Sequence, residues 1–302
     1  MEIQWFPGHM AKTRRMMEEQ IALVDLVVEV VDARIPASSK NPYLDELWKR
    51  RPRIIALNKA DLADPAKTAR WKAWYEERGY GTILLDALHG KGVSEIGPLA
   101  QKLCAGKLAR EQERGRQQRA LRLMITGIPN VGKSTLINRI AGRKEAAKTG
   151  NKPGVTKGKQ WIRLRGGLEM LDTPGILWPK FEDPEVGKKI ACIGSIREET
   201  LDTYTLAGIL LDYLRPEYQG LLQERYKLNE DELSQSAEEL LLTIGAHRGY
   251  KVSGGRIDWE RTARVILDEF RDGKIGRITL ETPEETYTNG EENKGGTAST
   301  VS

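Results

Sequence analysis

The residues with the most specific chemistry lie in Gly127-Ile128-Pro129-Asn130-Val131-Gly132-Lys133-Ser134-Thr135. The pattern G-x-x-x-x-G-K-[ST] turns backbone N–H groups toward phosphate oxygens, aims a lysine at the β- and γ-phosphates and supplies a hydroxyl for Mg²⁺. Asn130, Val131, Gly132, Lys133, Ser134 and Thr135 are therefore expected to hold a nucleoside triphosphate, with Lys133 also stabilising transition-state charge. A second motif, Asn58-Lys59-Ala60-Asp61, selects the base. The Asp61 carboxylate can accept from guanine N1–H and the exocyclic amine, whereas adenine has an acceptor at N1 and no such amine. Opposite adenine the carboxylate stays unpaired, at a cost of ~1–3 kcal/mol. A third motif, Asp172-Thr173-Pro174-Gly175, offers Asp172 to Mg²⁺ and the Gly175 N–H to the γ-phosphate. Thr156, in Lys152-Pro153-Gly154-Val155-Thr156, is the hydroxyl expected to close on the metal when the triphosphate is present. Together these parts predict a GTP-hydrolysing switch, in which a loop ordered by the γ-phosphate relaxes after hydrolysis.

Such residues need a sheet to present them. Leu26–Val31, Arg53–Leu57, Thr82–Leu85 and Leu121–Thr126 read as buried strands, and the segments between them carry helical apolar spacing. Strands alternating with helices predict a mostly parallel sheet with helices on both faces, and ligands in such sheets gather at the carboxyl ends of strands. Ser134–Ile140 reads as a helix whose N-terminus faces the phosphates. Two shorter strands, Gln160–Arg165 and Leu168–Leu171, follow. From about Ile196 the spacing is helical throughout, as in Leu206, Ile209, Leu210, Tyr213 and Leu214.

The expected organisation is an N-terminal segment and helix at 1–24 and a nucleotide-binding domain at 25–178 that includes a basic linker at 105–120. A connector at 179–195, a helical domain at 196–280 and a disordered tail at 281–302 follow. The tail is expected to lack order because its Thr, Glu, Gly and Asn residues bury little apolar surface.

The net charge is +5 over 302 residues, and the tail, with five glutamates against Lys294, hides part of the basic character. A polyanion is the expected partner. Lys12, Arg14 and Arg15 sit at the start of the N-terminal helix, where they oppose the helix dipole unless phosphate meets them. Arg248, Lys251 and Arg264 in the helical domain are a second candidate set for meeting a polyanion. No apolar run reaches the ~20 residues of a membrane span, and no signal-peptide layout opens the chain, so a cytoplasmic location is expected. Cys104 and Cys192 are too far from other ligand types to suggest zinc. With no heptad run, a monomer is expected.

In this chain the guanine motif at 58–61 precedes the phosphate loop at 127–135. That order resembles the circularly permuted GTPases. With Trp5-Phe6-Pro7-Gly8-His9-Met10, Asp32-Ala33-Arg34-Ile35-Pro36 and the helical C-terminal domain added, the chain resembles specifically the YlqF/RbgA family, ribosome biogenesis GTPase A. The resemblance implies an α/β P-loop GTPase domain of permuted motif order with an all-helical C-terminal domain. It implies binding of GTP and GDP, hydrolysis in late assembly of the large ribosomal subunit, and contact with its ribosomal RNA. Ras-like GTPases place a glutamine after the D-x-x-G glycine to orient water, but Ile176 stands there and cannot do so. Three substitutes are open: Asn130, which resembles the asparagine that ligates K⁺ in cation-activated GTPases; His9, which resembles the family's histidine acting on the attacking water; and ribosomal RNA in trans. A nucleotide-gated RNA-binding scaffold with little hydrolysis is the alternative. The third guanine-side loop reads Asp86-Ala87-Leu88 where the superfamily has Ser-Ala-Lys or similar. By resemblance Asp86 and Ala87 contact the nucleotide, the latter through its backbone N–H.

Overall fold

A computed structural model describes residues 18–19, 21–48, 51–115, 119–142, 161–164, 167–171, 183–196 and 202–287. His9, Lys12, Arg14, Arg15, Thr156, Asp172 and Gly175 lie outside the described residues.

Six strands form one sheet: β1 (Leu26–Asp32), β2 (Arg53–Asn58), β3 (Gly81–Leu84), β4 (Leu121–Thr126), β5 (Trp161–Leu164) and β6 (Leu168–Leu171). Their order is β3-β2-β1-β4-β6-β5, with every neighbouring pair parallel except β5–β6. The chain builds outward from β1 through β2 to β3 and then returns to the other side of β1 with β4. The strand order therefore reverses between β1 and β4, which makes their carboxyl ends a crevice.

Side chains alternate across the sheet with period two. Leu26, Val28 and Val30 of β1, Ile54 and Ala56 of β2, and Leu123 and Ile125 of β4 enter one core. Val31, Ile55 and Leu57 face Trp71 and Tyr75 on the opposite side, while Val27 and Met124 join Trp48 there. Because both faces are covered, the strands are nearly continuous apolar runs.

Helices α1 (Pro42–Leu47), α2 (Pro65–Glu77), α3 (Ile96–Glu113) and α4 (Lys133–Ala141) connect the strands. Asp64 caps α2, accepting from the N–H groups of Ala66 and Lys67 at 2.8 and 3.0 Å ahead of a proline at the first turn. The expected basic linker is largely the end of α3. Its Lys107, with Arg119, pairs with the buried Asp25, so part of that charge is used inside the protein.

The helical unit comprises α5 (Pro184–Cys192), α6 (Thr203–Leu214), α7 (Gln219–Tyr226), α8 (Glu230–Leu233), α9 (Ala237–His247) and α10 (Trp259–Arg271). Capping boxes at Asn229/Glu232 and Ser236/Glu239 start α8 and α9. The apolar core runs without a break from β4 and α4 through Ile190, Cys192 and Ile196 to Leu210, Leu241 and Ile266.

The expectation of a disordered tail from residue 281 is corrected for 281–287. Glu281, 1% exposed, accepts from the N–H groups of Ala37 and Ser38 at 2.5 and 2.9 Å and from the Ser38 hydroxyl at 2.6 Å. A short helix, α11 (Pro283–Tyr287), then stacks Tyr287 on Trp74 with ring centroids 4.5 Å apart. Composition missed this because one buried carboxylate and one aromatic ring order the segment, using receptors more than 200 residues earlier in the chain.

Candidate nucleotide-binding site

The phosphate loop starts where β4 ends. Gly127 has φ +147°, and a Cβ there would stand 2.3 Å from the Val30 carbonyl oxygen of β1, so glycine lets the loop leave the sheet against its neighbour strand. Gly132, at φ +97°, is the residue before α4, and a Cβ there would meet the Asn58 amide at 2.3 Å. The amides of the first α4 turn have no intrahelical acceptors, so this end is suited to an anion. Lys133 is 8% exposed and donates to the Ile128 carbonyl at 2.6 Å. Burial away from any compensating anion pushes its amine down to about 8. A phosphate beside it would favour the charged form. Ser134 follows at the second helical position, an oxygen donor of the kind a hard divalent cation takes.

The guanine motif starts where β2 ends, with Asn58 level with Asp32 across the β1–β2 pair. Asn58, 3% exposed, donates through Nδ2 to the Val131 carbonyl at 2.7 Å and accepts through Oδ1 from the Ala87 N–H at 3.0 Å. One carboxamide thus ties the phosphate loop to both base-side loops. Lys59 adopts φ +59° and reaches Asp32 at 3.0 Å. Asp61 is exposed, and its carboxylate lies within 4.8 Å of the Asp86 carboxylate and the His89 ring on the neighbouring loop.

The third loop departs from expectation. The Ala87 N–H, expected on guanine, is taken by Asn58 here, because the loop closes onto the β2 end. Asp86 serves its own turn: its carboxylate accepts from the His89 N–H at 3.0 Å and lies 2.8 Å from His89 Nδ1. Burial favours the neutral form of Asp86, yet these His89 contacts outweigh it and hold the carboxyl below its ordinary value. Arg139 of α4 donates to the carbonyls of Ala87, at 3.5 Å, and Leu88, fastening this loop to the helix that follows the phosphate loop.

Asp32 is fully buried. Burial pushes its carboxyl upward, but Arg34 and Lys59 together hold it well below the usual carboxylate range. Arg34 binds it through Nε at 2.9 Å and Nη2 at 2.8 Å. On the phosphate side, Asn130 at φ +61° donates through Nδ2 to the Gly194 carbonyl at 2.6 Å, and the Ser195 hydroxyl donates to the Pro129 carbonyl at 2.7 Å.

Sequence reasoning missed the roles of Arg34, Arg139, Ser195, Arg271 and Arg277. Arg277 donates to the carbonyls of Ala60 and Ala63, both at 2.9 Å, beside the guanine motif. Apart from the Arg34 contact to Asp32 two residues away, their acceptors are backbone oxygens distant in sequence, which no local pattern marks. Among the RNA-facing candidates, Arg248 is occupied by the Arg225 carbonyl at 3.2 Å and by Glu269 at 3.6 Å. Arg264 is exposed and pairs with Glu260 at 3.5 Å, while Lys251 is exposed on a hairpin bridged to Ile257.

Comparison with known proteins agrees with this geometry. The family described as 50S ribosome-binding GTPase matches residues 122–243. Ribosome biogenesis GTPase A of Bacillus cereus is 47% identical over 94% of this chain and 95% of its own length. Among solved structures, GDP-bound YlqF has a TM-score of 0.65 at 27% identity over 89% of this chain and 100% of that one. GNP-bound YlqF from T. maritima has a TM-score of 0.62 at 28% identity, covering 90% and 99%. With likeness running over nearly its whole length and its guanine motif ahead of its phosphate loop, the chain belongs to the ribosome biogenesis GTPase A family.

Proposed function

We infer that this GTPase acts in assembly of the large ribosomal subunit, in the cytoplasm and as a monomer, and binds ribosomal RNA in a nucleotide-dependent way. The observation that carries the reading is the Asn58 bridge, which unites a phosphate loop and a guanine loop at one sheet crevice. The names of its relatives support the ribosomal setting. No helix among the described residues is long and apolar enough to cross a membrane.

In this reading Asn130, Val131, Gly132, Lys133, Ser134, Thr135 and the Gly175 N–H hold the phosphates. Asn58 and Lys59 shape the base pocket, and Asp61 reads guanine. Mg²⁺, which GTPases of this family use, takes Ser134, Thr156 and Asp172 as ligands and neutralises phosphate charge when bound. The carbonyl oxygen of Asn130 serves K⁺, since its amide nitrogen already donates to Gly194. His9 acts on the attacking water. Lys12, Arg14, Arg15, Lys251 and Arg264 meet RNA phosphate, and Arg248 contributes mainly by supporting α7 through the Arg225 carbonyl.

Co-sedimentation with purified large subunits tests the reading. Retention with a non-hydrolysable GTP analogue and release with GDP is expected; equal binding in both states, or none, overturns it. Ile176 after Gly175 favours one alternative, an RNA-binding scaffold gated by nucleotide. Single-turnover hydrolysis on the subunit would exclude that alternative.

A further inference from the structure

The C-terminal end of α10 faces both nucleotide loops from behind. On one side the Arg271 guanidinium donates to the last carbonyls of α5, through Nε to Cys192 at 3.0 Å and Nη2 to Ala191 at 3.3 Å. Those carbonyls lie in the last turn of the helix, where a cation is favoured, and the Ala191 carbonyl also accepts from the Gly194 N–H at 2.9 Å. The turn that follows α5 is the one that grips the phosphate loop, through Gly194 to Asn130 and Ser195 to Pro129. Gly194, at φ +75°, lies under Arg271 so closely that a Cβ would stand 3.2 Å from its Nε.

On the other side the carbonyls of Phe270 and Arg271 accept from Arg34 Nη1 at 3.3 and 3.1 Å. Arg34 is 1% exposed and spends its remaining nitrogens on Asp32, which in turn holds Lys59 of the guanine motif. A guanidinium is a rigid fork, so the α10 end cannot shift by much without loosening either its own carbonyls or Asp32. A buried ion pair adds little stability over an apolar packing of the same volume. The arrangement therefore acts by fixing geometry.

We propose that Arg34 and Arg271 are positioning residues that join the guanine loop and the phosphate loop to one joint, the C-terminal end of α10. A displacement of the helical unit by its partner then relaxes the grip on base and phosphate together, which couples nucleotide release to that unit's contacts. The inference rests on the reading of residues 58–61 as the guanine motif.

The test compares GDP with inosine diphosphate, whose base lacks the exocyclic amine, in the full-length protein. Wild type is expected to prefer GDP; equal affinities would defeat the guanine reading itself, and the inference with it. Given that preference, Ser195→Ala, on the phosphate side, lowers the GDP-over-inosine ratio by about threefold or more. Arg34→Lys does the same, and the double variant falls no further than the larger single effect. The Asn58 bridge is a shorter route between the same loops, and transmission through it would make the two effects multiply. A multiplied double effect overturns the proposal, as does a Ser195→Ala protein that loses affinity for both nucleotides equally. A purely structural role would lower the melting temperature and leave the ratio unmoved. Should Arg34→Lys fail to fold, Arg271→Lys replaces it in the same cycle with the same expected non-additivity.

Discussion

Replacing Asn58 with alanine removes a side chain that touches both halves of the nucleotide site. Its carboxamide donates to the Val131 carbonyl at 2.7 Å and accepts from the Ala87 N–H at 3.0 Å, and all three residues are buried. Each partner left unsatisfied costs ~1–3 kcal/mol, so the variant loses roughly 2–5 kcal/mol, part offset by water entering the gap. If about half of that falls on the nucleotide-ready arrangement, GDP affinity drops about 5- to 70-fold. Asn58→Asp keeps an acceptor for Ala87 but sets an anion against the Val131 oxygen, so it is expected to be no better than alanine. Displacement of a fluorescent GDP analogue, with melting temperatures measured alongside, reads both effects. An Asn58→Ala protein that binds GDP within about threefold of wild type, at an unchanged melting temperature, would refute the bridge as the organiser of the site.

Three further outcomes follow from the same geometry. Lys133, pushed down to about 8 by burial, binds phosphate in its protonated form, so GDP binding near that pH takes up roughly half a proton and affinity falls as pH rises through it. Because the folded value lies below the ordinary 10.5, its stability penalty is fully present below about 8 and is relieved as pH climbs from there toward 10.5. Calorimetry in buffers of different ionisation enthalpy measures the uptake, and a flat affinity with no proton exchange contradicts it. Asp61→Asn replaces two acceptors with one acceptor and one donor. It lowers GDP affinity on the order of 100-fold and brings xanthosine diphosphate, which offers one donor and one carbonyl, above GDP. Retained guanine preference in a binding competition would show that another group reads the base. Glu281→Ala strands the Ala37 and Ser38 N–H groups and Lys189, 3.3 Å away. It costs roughly 3 kcal/mol and lowers the melting temperature on the order of 5–10 °C; a shift near zero would mean that the 281–287 segment does not anchor the loop.

What could be read in advance depended on how far a residue's partner lay along the chain. The phosphate loop, its strand and its helix are one local unit, so Gly127, Gly132, Lys133 and Ser134 were legible from spacing alone. Base chemistry, which demands a carboxylate, is what points to Asp61. The order β3-β2-β1-β4-β6-β5 is a set of long-range pairings that no local pattern encodes beyond the prediction of a mostly parallel sheet. Arg34, Arg139, Arg271 and Arg277 donate to backbone carbonyls from roughly 50 to more than 200 residues away along the chain, partners that sequence spacing does not encode. The Arg248 contact to the Arg225 carbonyl on α7 is likewise not encoded by local spacing. Composition correctly marks the segment past Glu281 as polar, but it cannot register that one glutamate and one tyrosine find prepared partners at Ser38 and Trp74.

We propose that large ribosomal subunits stimulate hydrolysis by completing the site in trans. The most direct test is the GTP hydrolysis rate of the purified protein, alone and with large subunits, each in potassium and in sodium buffer. Slow turnover alone, marked stimulation by subunits, and greater stimulation in potassium through Asn130 are expected. The same rate with and without subunits in either buffer would contradict the proposal.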